Sequence, residues 1–251
     1  MWNAPVTVGR DEERVLGPDH PSTLQSRNNL ANAYRDASRV AEAIPLFERT
    51  LADRERVLGP DHPSTLASRN NLAEAYREAG RAAEAIPLLE RTLADRERVL
   101  GPDHPDTLGS RNNLALACED AGRADEAIRL HEQTAAAFRR VLGPDHPSTL
   151  GSRNNLAGAY QDAGRVAEAI TLHEQTLADR ERVLGSDHAD TLASRNNLAE
   201  AYQDAGRAAE AIPLLERTLA DRERVLGPDH PSTLASRNKL ANAYRAEGRV
   251  S

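Results

Sequence analysis

Residues 58–63 read Leu-Gly-Pro-Asp-His-Pro, and the same six residues begin again at Leu16, Leu100, Leu142 and Leu226. A variant, Leu-Gly-Ser-Asp-His-Ala, begins at Leu184, so every step is 42 residues. A fixed period of this length marks an array in which each copy is one supersecondary unit stacked on the next. Five full copies run 16–57, 58–99, 100–141, 142–183 and 184–225, and a sixth is cut short at 226–251. The second and fifth copies differ at only five positions, so residues shared between copies carry little independent information.

In the second copy, Gly59-Pro60-Asp61-His62-Pro63 is a helix breaker. Pro63 suits a first helical turn, where a missing N–H is harmless. His62, preceding proline, falls outside the helix, and Asp61 or His62 supplies the cap. Helix A then spans Pro63 to Ala79, with Leu72, Ala75, Tyr76 and Ala79 on one face. Gly80 closes it, where φ must turn positive. Helix B spans Ala82 to Leu100, with Ala85, Ile86, Leu89 and Leu93 along its stripe. Pro87 within it removes one backbone bond and should bend its first turns.

The chain is therefore expected to be all-α, five full helix–turn–helix repeats plus a terminal helix A, with helix A of one repeat buried on helix B of the last. Residues 1–15 read as a tail with a helix B remnant (Arg10 to Val15), 16–225 as the five repeats, and 226–251 as a capping half repeat. Both ends look cut, which fits a fragment of a longer protein.

Composition narrows the function classes. The chain is 39% hydrophobic but only 3% aromatic, which suits thin helical layers. The 32 basic and 39 acidic residues are interspersed without a basic stripe, which disfavours nucleic acid and membrane surfaces as partners. No apolar run approaches a membrane span, and Met-Trp-Asn-Ala-Pro at the start lacks the pattern of a secretion signal. One cysteine, Cys118, permits no internal disulfide and fits a reducing cytoplasm.

The repeat resembles the tetratricopeptide repeat, in the 42-residue form of kinesin light chains and of many actinobacterial proteins. Asn70-Asn71-Leu72-Ala73, Tyr76, Gly80, Glu84-Ala85, Leu89 and the Gly-Pro-Asp-His-Pro loop carry the likeness. The resemblance implies a right-handed superhelical solenoid whose concave face is lined mainly by helix A and binds peptides. On that pattern the groove residues are Asn28, Asn70, Asn112, Asn154, Asn196 and Asn238, with Glu74, Glu200, Arg77 and Gln203 on the next turns. Gln25, Ala67, Gly109, Gly151, Ala193 and Ala235 lie one turn earlier and read as mostly small residues that leave room. The family's clamp for chaperone C-terminal carboxylates needs basic residues where this chain has Asn and Ala, so that specificity is excluded. Three departures stand out: Arg69 and its equivalents replace an aromatic residue early in helix A, Cys118 replaces a tyrosine, and Ser38 replaces the inter-helix glycine.

Each polar series also has a plain reading. Asn29, Asn71, Asn113, Asn155 and Asn197 read as packing residues, because the last copy, with no helix B behind it, carries Lys239 there. His20, His62, His104, His146, His188 and His230 read as loop caps, since equivalent loops about 8–10 Å apart cannot share a metal ion. Asp95-Arg96-Glu97-Arg98 and its copies read as a solvated outer face. Cys118 reads as an inert buried thiol. No phosphate loop and no catalytic constellation stands out, so neither an enzyme nor a cofactor protein is expected. The leading reading is a scaffold for a partner protein or peptide. The rivals are a sensor arm of a larger signalling NTPase and a homo-oligomer assembled through the array ends.

Overall fold

The computed structural model of the chain describes residues 13–248. Met1–Pro5 and the first residues of the expected helix B remnant lie outside them; residues 13–16 are helical. Eleven helices follow, and no strand occurs among the described residues. The A helices are α1 (Pro21–Asp36), α3 (Pro63–Glu78), α5 (Pro105–Asp120), α7 (Pro147–Asp162), α9 (Ala189–Asp204) and α11 (Pro231–Ala246). The B helices are α2 (Val40–Leu58), α4 (Ala82–Leu100), α6 (Ala124–Leu142), α8 (Val166–Leu184) and α10 (Ala208–Leu226). They fall into two compact units, divided between Leu130 and His131. In the first, α1 to α5 pack in chain order; in the second, α7 to α11 do.

The helix boundaries follow from local chemistry. Each histidine caps its A helix: Ser64 N–H donates to His62 Nδ1 at 3.1 Å, and the same bond recurs at His20, His104, His146, His188 and His230. The C-terminus of α3 is a Schellman turn, with Arg81 N–H donating to Tyr76 O and Gly80 N–H to Arg77 O. Ala79 is thus the C-cap and exposed, not part of the buried face, because the chain leaves the helix at Glu78. Arg81 then folds back over the Tyr76 ring, 4.3 Å from its centroid, and pairs with Glu84. The α4 helix runs through Pro87, whose ring is exposed.

Gly80 sits at φ +72°, and Ser38 holds the same turn at φ +58°. A side chain in that region is strained by about 1 kcal/mol. Ser38→Gly is therefore expected to stabilise the first unit by about that much, read as a shift in its melting temperature. An unchanged or lowered melting temperature would mean the turn stores no strain.

Each unit has its own core. In the first it is built from Phe47, Leu72, Tyr76, Leu89, Leu114 and Cys118; in the second from Ile170, Leu177, Leu198, Tyr202, Ile212 and Leu215. Arginine is also inside. Arg69 and Arg195 are 0% exposed. Arg69 donates to Glu55 of α2 at 2.8 Å and to Asp95 of α4 at 2.8 Å, and Arg195 makes the same pair of bonds to Glu181 and Asp221. A second series runs the other way. Arg54, 4% exposed, donates to Ser64 O and Ser68 Oγ at the start of α3, and Arg180 does the same to Asp190 O and Ser194 Oγ.

These networks correct the reading of the charge run as a solvated face. Asp95 and Arg96 are tied into neighbouring helices, with Arg96 donating to Asp106 O and Ser110 Oγ. Glu97 and Arg98 keep the expected exposure, yet Glu97 pairs with Arg111 and Arg98 with Asp61 of the preceding loop. Arg69 and Arg195 are held as buried cations because the helices on either side each supply a carboxylate.

Candidate functional site

The groove residues of the sequence reading lie on the A helices, three and four residues apart, and so share a face. That face is knitted together by side chains. Asn113 donates to Asn70 Oδ1 at 3.2 Å and to Glu74 Oε1 at 2.7 Å. Asn71 donates to Asn28 at 3.4 Å, and Asn197 to Asn154 at 3.0 Å. Within each unit the two asparagine series therefore bond to each other, the later repeat donating and the earlier accepting. Lys239 fits the same rule: its Nζ donates to Glu200 at 2.9 Å. The carboxylate that receives it belongs to the preceding repeat.

The remaining predicted residues are engaged likewise. Glu74 also accepts from Arg35 and from Asn70, and Arg77 donates to Asp120 at 3.1 Å. Gln161, equivalent to Gln203, bonds Asp204. Asn28 and Asn196 are buried, Asn70, Asn112, Asn154 and Gln203 half-buried, and Asn238 exposed. Beside this ladder the surface is open. A Cβ placed on Gly109, Gly151 or Gly158 would meet nothing within 4 Å. An amide keeps donor and acceptor capacity beyond one bond, so a row of half-buried amides can still meet an extended backbone.

Off this face the chemistry is quiet. Cys118 is buried in the first core, and burial pushes its thiol up to about 11, away from thiolate chemistry. Burial first, then a hydrogen bond to Glu48, pushes the Tyr76 phenol up to about 12. His173 is 1% exposed within α8, at the position held by Phe47, Leu89 and Leu215 in other copies, and neither ring nitrogen has a hydrogen-bond partner among the described residues. Burial and then Arg180 pull it down to about 4, so it is neutral at ordinary pH. Among the described residues no cluster of three or more His, Cys, Asp or Glu could hold a metal, and no helix is long and apolar enough to cross a membrane.

Sequence reasoning missed the buried arginines and the joining of the asparagine series. It also passed over the irregularity of α6, where Ala135, Ala137, Phe138 and Arg139 stand in place of the Leu93, Asp95, Arg96 and Glu97 of α4.

The sequence matches the tetratricopeptide-repeat family model over residues 12–54, 23–97, 70–136, 107–160, 148–221 and 193–251. Two crystal structures of kinesin-light-chain-like, nearly identical repeats from Podosopora anserina are 40% and 41% identical to it. They cover 82% of this chain and 98% and 97% of their own, with TM-scores of 0.75 and 0.73. Two structures at 12% identity share the fold. One is a signal transduction ATPase with numerous domains and a tetratricopeptide-repeat sensor from Pyrococcus horikoshii, with TM-score 0.70, covering 98% of this chain and 36% of that one. The other is a Rap protein complexed with Competence and Sporulation Factor, with TM-score 0.64, covering 90% and 66%. No curated protein matches the sequence.

Proposed function

Because this chain belongs to the tetratricopeptide-repeat family, we propose that it is a cytoplasmic, non-catalytic interaction scaffold. In each unit it would hold a partner polypeptide along the helix-A face. Asn28, Asn70, Asn112, Glu74 and Arg77 would contact it in the first unit, and Asn154, Asn196, Asn238, Glu200 and Gln203 in the second. The observation that carries this reading is a ladder of half-buried amides bordered by open, glycine-floored surface. Amides offer donors and acceptors to a backbone without demanding a particular side chain, and many such contacts sum over a long face.

The test fills the open surface and leaves the ladder intact. Gly109→Gln with Gly151→Gln is expected to raise helix stability by roughly 0.5–1 kcal/mol per site, because glycine is a poor helix former. The same variant is expected to lose proteins that the parent chain retains from a lysate. A variant that is more stable yet retains the same proteins would remove the helix-A face from the function.

A second reading, a sensor arm of a larger signalling ATPase, is favoured by the fold match to the Pyrococcus horikoshii sensor. Sequencing the gene's flanks for an in-frame nucleotide-binding domain decides it.

A further inference from the structure

At three places in the array a glutamate on a B helix, or in the helical turn at residues 13–16, sits between two arginines of the next repeat. Glu13 lies 3.7 Å from Arg27 and 2.6 Å from Arg49. Glu55 lies 2.8 Å from Arg69 and 3.5 Å from Arg91. Glu181 lies 2.8 Å from Arg195 and 3.3 Å from Arg217. In α6 the corresponding residue is Arg139, and the two residues that should face it are Arg153 and Gln175. With Asp179, which accepts from Arg153 at 2.6 Å, the group carries one net positive charge where the other nodes are neutral.

Space opens at the same point. Ala135 occupies the position of Leu93 and Leu177, and a cavity of about 580 Å³ lies between α6, α7 and α8, lined by Ala135, Arg139, Arg153, Leu172, Gln175 and Asp179 among others. The Arg153 side chain is 17% exposed, against 0% for Arg69 and Arg195. The Arg139 guanidinium has no ion-pair or hydrogen-bond partner among the described residues.

We propose that this cavity is a binding site for an aliphatic carboxylate of the glutamate type, supplied from outside the chain. The carboxylate that each intact node draws from its own B helix is absent here: Arg139 stands in its place, Arg153 is kept and the second arginine is Gln175, so two guanidinium forks meet with no glutamate between them, Arg139 lining the cavity unpaired and Arg153 held beside it by Asp179. Two arginines offer the planar, bidentate donors that suit a carboxylate. Asp179 at the margin repels a doubly charged phosphate, and Ala135 and Leu172 give a ligand's methylenes an apolar wall. The cavity volume is that of a small-ligand site. The observation is independent of the asparagine ladder, so the two sites stand or fall separately.

The carboxylate can come from a glutamate side chain or from a free small acid, and the test separates them. The full chain, labelled with ¹⁵N, is titrated at fixed ionic strength with glutarate, with acetyl-Gly-Glu-Gly-amide and with acetyl-Gly-Gln-Gly-amide, while the Nε–Hε signals of Arg139 and Arg153 are followed. Arg139→Glu rebuilds the internal node and is expected to fold at least as well as the parent. The expected result is saturable shifts with the carboxylate probes, none with the glutamine peptide, and binding weakened at least about tenfold in Arg139→Glu. Binding of both carboxylates supports a polypeptide glutamate as ligand, and binding of glutarate alone supports a free acid. Absence of saturation with either, equal shifts from the glutamine peptide, or undiminished binding by Arg139→Glu overturns the site.

Discussion

Replacing Arg195 by alanine is expected to destabilise the second unit by about 3–5 kcal/mol, the cost of emptying a fully buried site and breaking the two ion pairs made there. The side chain is fully enclosed and holds Glu181 and Asp221 at once, at 2.8 and 2.9 Å. Removing it leaves two carboxylates facing each other across a void. Arg195→Met fills the void and tests the other half of the effect, leaving Glu181 with Arg217 and Asp221 with Arg224 as their remaining partners. Arg153→Ala is the internal control, since Arg153 bonds Asp179 alone and is partly exposed. Hydrogen exchange of α9 and α10 reads the loss locally, which a single global transition does not guarantee in a repeat array. If Arg195→Ala costs no more than Arg153→Ala, the buried arginine is not a structural node.

The second large effect is a dependence on pH set by His173. Its folded form holds the proton only near pH 4, whereas an unfolded histidine takes one near 6.5. A base whose pKa is depressed by folding contributes its full stability above 6.5 and loses it as pH falls toward 4. The difference amounts to about 3 kcal/mol across that window. His173→Leu restores the residue found at Leu89 and Leu215, and is expected to stabilise the chain more at pH 4.5 than at pH 7.5. Taking the difference between variant and parent at each pH cancels the carboxylates that titrate in both. Denaturant unfolding at several pH values measures it. A constant difference across the window would show that His173 is charged, or solvated, in the folded chain.

Much of the fold was legible because its signals are local. A histidine cap, a proline in the first turn and a glycine two residues past the helix end act within six residues, and the B helices end where the pattern places them. The side-chain networks act at a distance. Arg69 reaches Glu55 and Asp95, separated by 14 and 26 residues, and Asn113 reaches Asn70, separated by 43. A search for charge pairs one helical turn apart cannot see these, so Asp95 and Arg96 read as solvated. One signal was present all the same. Arg153 keeps its place while the glutamate that should face it becomes Arg139 and the second arginine of the node becomes Gln175, so partners change together at one node. Comparing copies for joint changes, not for shared residues, would have found the node. The helix-A residues were placed on one face by periodicity, but their engagement with each other depends on the spacing between neighbouring repeats, which sequence does not contain.

The asparagine ladder has a consequence for how such a gene can change. The bonds from Asn71 to Asn28, Asn113 to Asn70 and Asn197 to Asn154 each take the donor from one repeat and the acceptor from the one before, at an offset of 43 residues. Unequal crossing-over between near-identical copies inserts or removes 42 codons at a time, and a joint between copies that carry these asparagines reconnects a donor to an acceptor. Length can therefore drift in whole repeats without breaking a bond. A slip of any other size would misalign every rung at the joint, so the array tolerates recombination and punishes small insertions.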